Sequence, residues 1–220
     1  MGQGQWPPHL QRRSTASEER ILLIACGALA REILTLVRNN GWTHLELVCL
    51  PAHLHLAPER IPAEVARVFH ARQAEFARVF VVYADCGTGG RLQSLCRELG
   101  IAMIAGPHCY AFYDGLERFT AHAADEVTSF YLTDFLVRQF ESFVIKPLGL
   151  DRHPELRSTY FGHYETLVYL AQTDDPGLDT MARRWAGILG LAYRRRLTGY
   201  GDLATSLAGL VPEARTAPSA

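Results

Sequence analysis

Two hydrophobic rhythms alternate along the chain. Short, nearly unbroken apolar runs occupy Ile21–Ala25, Leu45–Leu50, Val79–Ala84, Ile101–Ile104, Ser129–Leu132, Thr166–Leu170 and Leu191–Arg196. The first, third and sixth are continuous, as in strands covered on both faces. Between the runs, apolar residues return every three or four positions. "ALAREILTLVRNNG" sets Leu29, Ile33, Leu36 and Val37 on one face and closes on Gly41, a residue suited to a left-handed cap. "IPAEVARVFHARQAEFAR" carries proline in its first turn, and "GGRLQSLCRELG" ends on glycine. "HPELRSTYFGHY" and "TDDPGLDTMARRWAGILG" add helical segments around "TLVYLAQ". Strand and helix in alternation predict an α/β fold: a single doubly wound, mostly parallel sheet with helices on both faces and right-handed crossovers. No Pro/Ser-rich linker interrupts residues 21–209, so one domain is expected there, with a disordered lead over 1–20 and a flexible tail over 210–220.

In an open α/β sheet, the loops leaving the carboxyl ends of the strands line the binding crevice. On this assignment Cys26, Cys86 and Cys109 all fall in such loops, each beside glycine, aspartate or histidine. "LPAHLH" after the second strand brings His55, and "GPHCY" brings His108. Thiolates with imidazole bind soft or borderline metals, and three protein ligands leave a position open for substrate. Cys26, Cys86 and Cys109 are therefore the expected metal ligands, with His55 or His108 as the fourth. The metal is zinc, or the three thiolates hold a four-iron iron–sulfur cluster. Asp85 and Asp174, also just past strands, are the candidate proton carriers. Cys96 sits on the apolar stripe of a helix and reads as packing. The glycines of "DCGTGG" (Gly87, Gly89 and Gly90) are candidates to cradle an anionic group of a cofactor, although no GxGxxG spacing and no Walker lysine accompanies them. Thr133 or Asp134, and Asp175, read as helix caps.

Composition narrows the field. Five cysteines cannot all pair with one another, and free thiols or ligands are the expected state in a reducing cytoplasm. Acidic and basic residues nearly balance, at 23 and 22, so the basic stripe of a nucleic-acid binder is missing. No run reaches the roughly 18 apolar residues of a membrane span. The first twenty residues also lack the apolar segment of a signal peptide. A cytoplasmic protein acting on a small molecule or a metal cofactor is expected, without nucleic-acid or membrane partners.

The set "ACGALAREI", "LPAHLH", "APERIP", "YADCGTGG", "GPHCY", "YLTDFL", "GLDRHPELR" and "VYLAQTDDP" resembles the prokaryotic family catalogued as domain of unknown function 1638, over roughly Ile21 to Asp202. Leu56, where that pattern leads one to expect a more polar residue, is a small departure. Members are often encoded near corrinoid-dependent methyltransferases. The resemblance therefore implies methyl-transfer or corrinoid metabolism, with a corrinoid protein as a partner, and suits a thiolate–metal site. Two other expectations stand beside the metalloenzyme: a carrier that delivers a metal or cofactor without catalysis, and a metal-free small-molecule binder.

Overall fold

The computed structural model describes residues 20–210. The expected lead and tail therefore lie, apart from their innermost residues, outside the described residues. Seven strands form where the apolar runs predict them: β1 (Ile21–Cys26), β2 (Leu45–Leu50), β3 (Arg78–Val82), β4 (Ala102–Met103), β5 (Ser129–Leu132), β6 (Thr166–Ala171) and β7 (Ala192–Leu197). The α-helices between and after them are α1 (Ala30–Asn40), α2 (Ile61–Arg72), α3 (Arg91–Leu99), α4 (Cys109–Asp114), α5 (Leu116–His122), α6 (Asp134–Arg138), α7 (Arg157–Phe161), α8 (Pro176–Leu189) and α9 (Gly201–Ala208). Gly41 ends α1 in the left-handed conformation with φ of 64°. The Asp175 carboxylate caps α8 by accepting the Gly177 and Leu178 N–H groups at 2.8 and 3.2 Å.

The single sheet expected from the sequence is instead two. One has the order β2-β1-β3-β4 and the other β5-β6-β7, and every pairing is parallel. The reason lies at β4, which pairs with β3 through only Ala102 and Met103. The chain then enters α4 and α5, and the two-residue β4 edge offers little to extend, so β5 begins a second sheet. A parallel sheet must be covered on both faces, and two cores result. The first gathers β1, Ile33, Ile61, Val65, Val81 and Leu92. The second gathers Leu132, Val137, Phe140, Leu167, Tyr169 and Trp185.

Two features tie the halves together. The guanidinium of Arg196 on β7 lies 2.6 Å from both Asp114, at the end of α4, and Glu126. Glu126 also accepts the Tyr131 hydroxyl at 2.5 Å. After β7 the chain returns to the first core, where Leu203 and Leu207 of α9 are fully buried. Gly201 permits that docking. Its φ is +43°, and a Cβ there would sit 2.4 Å from the carbonyl oxygens of Phe112 and Tyr113.

Candidate functional site

Cys26 is the last residue of β1 and is 3% exposed. Its sulfur accepts the Ala28 N–H at 3.3 Å as the chain turns into a short 3-10 segment. Gly27 allows this turn, because a Cβ would lie 2.9 Å from the Leu50 carbonyl oxygen where β2 ends. That close passage sets the loop after β2 beside Cys26, with His55 Nδ1 3.7 Å from the sulfur. The same Nδ1 lies 3.1 Å from the Ala52 carbonyl, which can only accept. Nδ1 therefore carries the hydrogen in that bond, and the Nε2 lone pair is free for a ligand.

Cys86 follows β3 in an uncommon conformation: with φ of 48°, it is the only non-glycine residue at positive φ among the described residues. The N–H groups of Asp85 and Cys86 donate to the Gly106 and Pro107 carbonyls at 3.1 and 3.0 Å. These bonds stitch the exit of β3 to the exit of β4 and bring Cys86 next to Cys109, the first residue of α4. Three thiols thus line the carboxyl edges of neighbouring strands, as the sequence leads one to expect.

Their ionisation reflects that grouping. Burial pushes Cys26 up to about 12; the Ala28 N–H opposes the shift, and the charge of Cys86 adds to it. Burial likewise takes Cys86 up to about 11, against the N–H groups of Ala84 and Cys109. Cys109 is driven well above the ordinary thiol value by burial, then by Cys86 and Cys26. Without a cation all three are neutral thiols at neutral pH. His55 is shifted down, first by burial, with Ala52 opposing and His108 adding, so it too is neutral. His108 stands exposed at the start of α4. Among the described residues, no three His, Cys, Asp or Glu side chains are already spaced around one point as metal ligands. Each of Cys26 and His55 is engaged with a local backbone partner.

Other expected residues take different roles. The Asp85 carboxylate accepts the Thr88 hydroxyl at 2.6 Å and the Gly90 and Gly89 N–H groups at 2.7 and 3.2 Å. The Thr88 hydroxyl, followed by the glycine amides, holds its carboxyl below the usual range against the effect of burial. Asp85 therefore closes the turn rather than carrying protons. The amides of Gly89 and Gly90 are spent on it rather than offered to an anion, and Gly87 serves the turn with φ of +84°. Asp174 is 77% exposed and paired with Arg195 at 2.6 Å, a surface ion pair rather than a site base. Cys96 is buried on α3, and Cys49 is exposed.

Several residues around the thiols escape a reading by motif. Tyr83 is fully buried, and its hydroxyl finds no hydrogen-bond partner among the described residues, although it is close enough to Cys26 for each to affect the other's ionisation. Glu32 on α1 is 3% exposed, with Oε2 unpartnered among the described residues. Burial first, then the charge of Asp134 from the second half, raise its pKa. The stripe Leu29, Glu32, Ile33, Leu36 contains the signal that could have found it: a carboxylate inside an apolar face. Asp134 itself accepts the Tyr169 hydroxyl at 2.7 Å, the Gln172 N–H at 3.0 Å and the Thr173 hydroxyl at 2.6 Å. Gln172 returns the bond, accepting the Asp134 N–H at 2.7 Å.

Between the two sheets, beside Cys109 and His55, lies a cavity of about 240 Å³ whose opposite wall is formed by Phe130, Thr133 and Leu136. A separate groove of about 360 Å³ runs along Lys146, Arg157 and Trp185 and contains none of the thiols. The first space, at strand ends and next to the perturbed groups, is the one with a chemical edge.

Comparison with curated proteins and with solved structures returns no match. The model of a family described as "Protein of unknown function (DUF1638)" matches residues 49–207, a span that includes His55, Cys86, Cys109 and the whole second sheet. The chain belongs to that family.

Proposed function

We propose that this protein binds a metal through Cys26, Cys86 and Cys109 as thiolates, with His55 as fourth ligand, at the carboxyl edge of the first sheet. The observation that supports the reading is that three thiols from separate strand exits lie near enough to affect one another's ionisation, with an imidazole nitrogen 3.7 Å from one of them. The donor set fits a soft or borderline cation. Three thiols, Cys26 buried and Cys86 and Cys109 half-buried, held neutral by desolvation are groups that a divalent cation would convert to thiolates, offsetting the burial that raises them. The free Nε2 of His55 is the nitrogen available to it. Within this reading the Ala28 N–H and the Tyr83 hydroxyl stabilise the Cys26 sulfur as thiolate, and Cys86 is presented by its left-handed backbone.

A mixed sulfur and nitrogen set favours zinc, which when bound would supply Lewis acidity and lower the pKa of a substrate thiol or water. The cavity beside Cys109 favours an enzyme over a pure carrier, since it leaves room for a molecule next to the ligands. The methyl-transfer or corrinoid setting implied by the family suits a site that activates a thiol.

The test is elemental analysis with a visible spectrum, on protein purified without oxygen or chelator. About one zinc per chain is expected, retained in Cys49→Ser and lost in Cys86→Ser. About four irons with visible absorbance would replace zinc by a cluster on the same thiolates. Protein that stays metal-free after reconstitution overturns the assignment.

A further inference from the structure

We propose that the cavity between the two sheets is a substrate subsite that takes a small, uncharged molecule with an apolar body and one polar group. The placement of the polar end against a metal rests on the preceding reading, whereas the charge selectivity stands without it. The walls are His55, Cys109 and Tyr110 from the first half and Phe135, Leu136 and Phe143 among those from the second. Among the described residues, no Asp, Glu, Lys or Arg lines this space, in a chain of which a fifth is charged.

Asp134 and Arg138 are committed elsewhere, and Glu141 and Lys146 line the other groove. Asp134, adjacent to the wall residue Thr133, turns its carboxylate to Tyr169, Gln172 and Thr173. Arg138 lies 3.7 Å from that same carboxylate. With no metal bound, a phosphate, carboxylate or ammonium group would therefore lose its water here without gaining a counter-charge, which is costly.

The walls are braced by aromatic pairs. Phe135 meets Phe143 edge to face at 5.2 Å, and Tyr110 stacks on Tyr131 at 5.5 Å. A cavity of roughly 150 Å³ admits benzene, so this one suits a molecule of roughly six to ten non-hydrogen atoms. Its polar group has defined partners. The Thr133 oxygen accepts the Leu136 N–H at 3.3 Å, which leaves its own O–H free to donate. The Cys109 thiol and the His55 ring complete the polar end. A short alcohol, thiol, ketone or amide meets these requirements; a nucleotide or a sugar phosphate does not.

The cysteines supply the experiment. Cys109 lines the cavity and Cys49 is exposed, while Cys96 is buried. The full chain, as purified and again after chelation, is alkylated with neutral iodoacetamide or anionic iodoacetate, and each cysteine is read by peptide mass spectrometry. In the chelated sample, with rates normalised to Cys49, Cys109 is expected to prefer iodoacetamide by about tenfold or more. 1-Pentanol should slow that reaction, whereas pentanoate and pentylammonium should not. Leu136→Trp, which fills the space, should suppress Cys109 modification and leave Cys49 unchanged. Equal normalised rates for the two reagents overturn the proposal, as does protection by pentanoate matching that by pentanol, or a Cys109 inert to both reagents. A protein that never takes up metal sinks the preceding reading but leaves these outcomes intact, so the two failures are distinguishable.

Discussion

Replacing Asp134 by alanine removes one carboxylate and strands three donors. The Gln172 N–H is part of the backbone and cannot turn away, and the Tyr169 hydroxyl is fully enclosed. The Thr173 hydroxyl is only half-buried and can turn to water. Hydrogen bonds to a charged group contribute about 1.5–3 kcal/mol each, and a buried donor left unpaired costs about 1–3 kcal/mol. Two such losses, reduced by the relief of no longer burying a carboxylate, give an expected destabilisation of about 3–5 kcal/mol. That is a large share of the roughly 5–15 kcal/mol a folded domain has in hand. Urea unfolding reads it as a drop in midpoint at unchanged slope. Tyr169→Phe isolates one limb: it removes a single donor from an acceptor that keeps two others, and should cost about 1 kcal/mol. In the Asp134→Ala background that second substitution should cost almost nothing, because the bond is already gone. A loss below about 1 kcal/mol for Asp134→Ala, or an undiminished Tyr169→Phe penalty in the double variant, would refute the assignment of Asp134 as the hub of this network.

Glu32 offers a pH signature. Because its folded pKa is raised, the native chain holds a proton that the unfolded chain has released, so its contribution is whole below the ordinary carboxylate range and is lost as pH rises through the raised value. The melting temperature of Glu32→Gln should therefore gain on the wild type as pH rises above the ordinary carboxylate range, and curves that run parallel there would show the carboxyl to be unperturbed. Gly201→Ala places a Cβ 2.4 Å from two carbonyl oxygens at φ of +43° and should cost about 3 kcal/mol or more, freeing α9 for proteolysis. Gly89→Ala, at a similar φ but with nothing within 4 Å, should cost only about 1–2 kcal/mol, and equal penalties would discount the close approach.

The strands were legible because a parallel strand covered on both faces has to be apolar nearly throughout, and "ILLIAC" and "TLVYLA" are so. The division into two sheets was not, since one sheet and two produce the same local alternation of strand and helix. What separates them is the two-residue length of β4, a matter of pairing partners that no periodicity records. Cys26, Cys86 and Cys109 could be read as a group because position at a strand exit is a property of the local pattern. The fate of Asp85 was hidden in the geometry of its own turn, where the carboxylate folds back on Gly89 and Gly90. Asp134 depends on Gln172, thirty-eight residues away, and such a contact leaves no trace in either segment taken alone. Glu32 was visible as a carboxylate inside an apolar stripe but carries no motif.

The return of α9 to the first core has a consequence for the order of assembly. During synthesis the segment holding β1 to β4 leaves the ribosome first, yet the pocket that Leu203 and Leu207 fill stays open until nearly the whole described chain has emerged. The half made first is therefore the half finished last, and its exposed apolar surface has to wait out the synthesis of the second sheet. Contacts this distant in sequence slow folding and leave a vulnerable intermediate. A nascent chain stopped short of Gly201 should lean on chaperones, whereas a few more residues would release it.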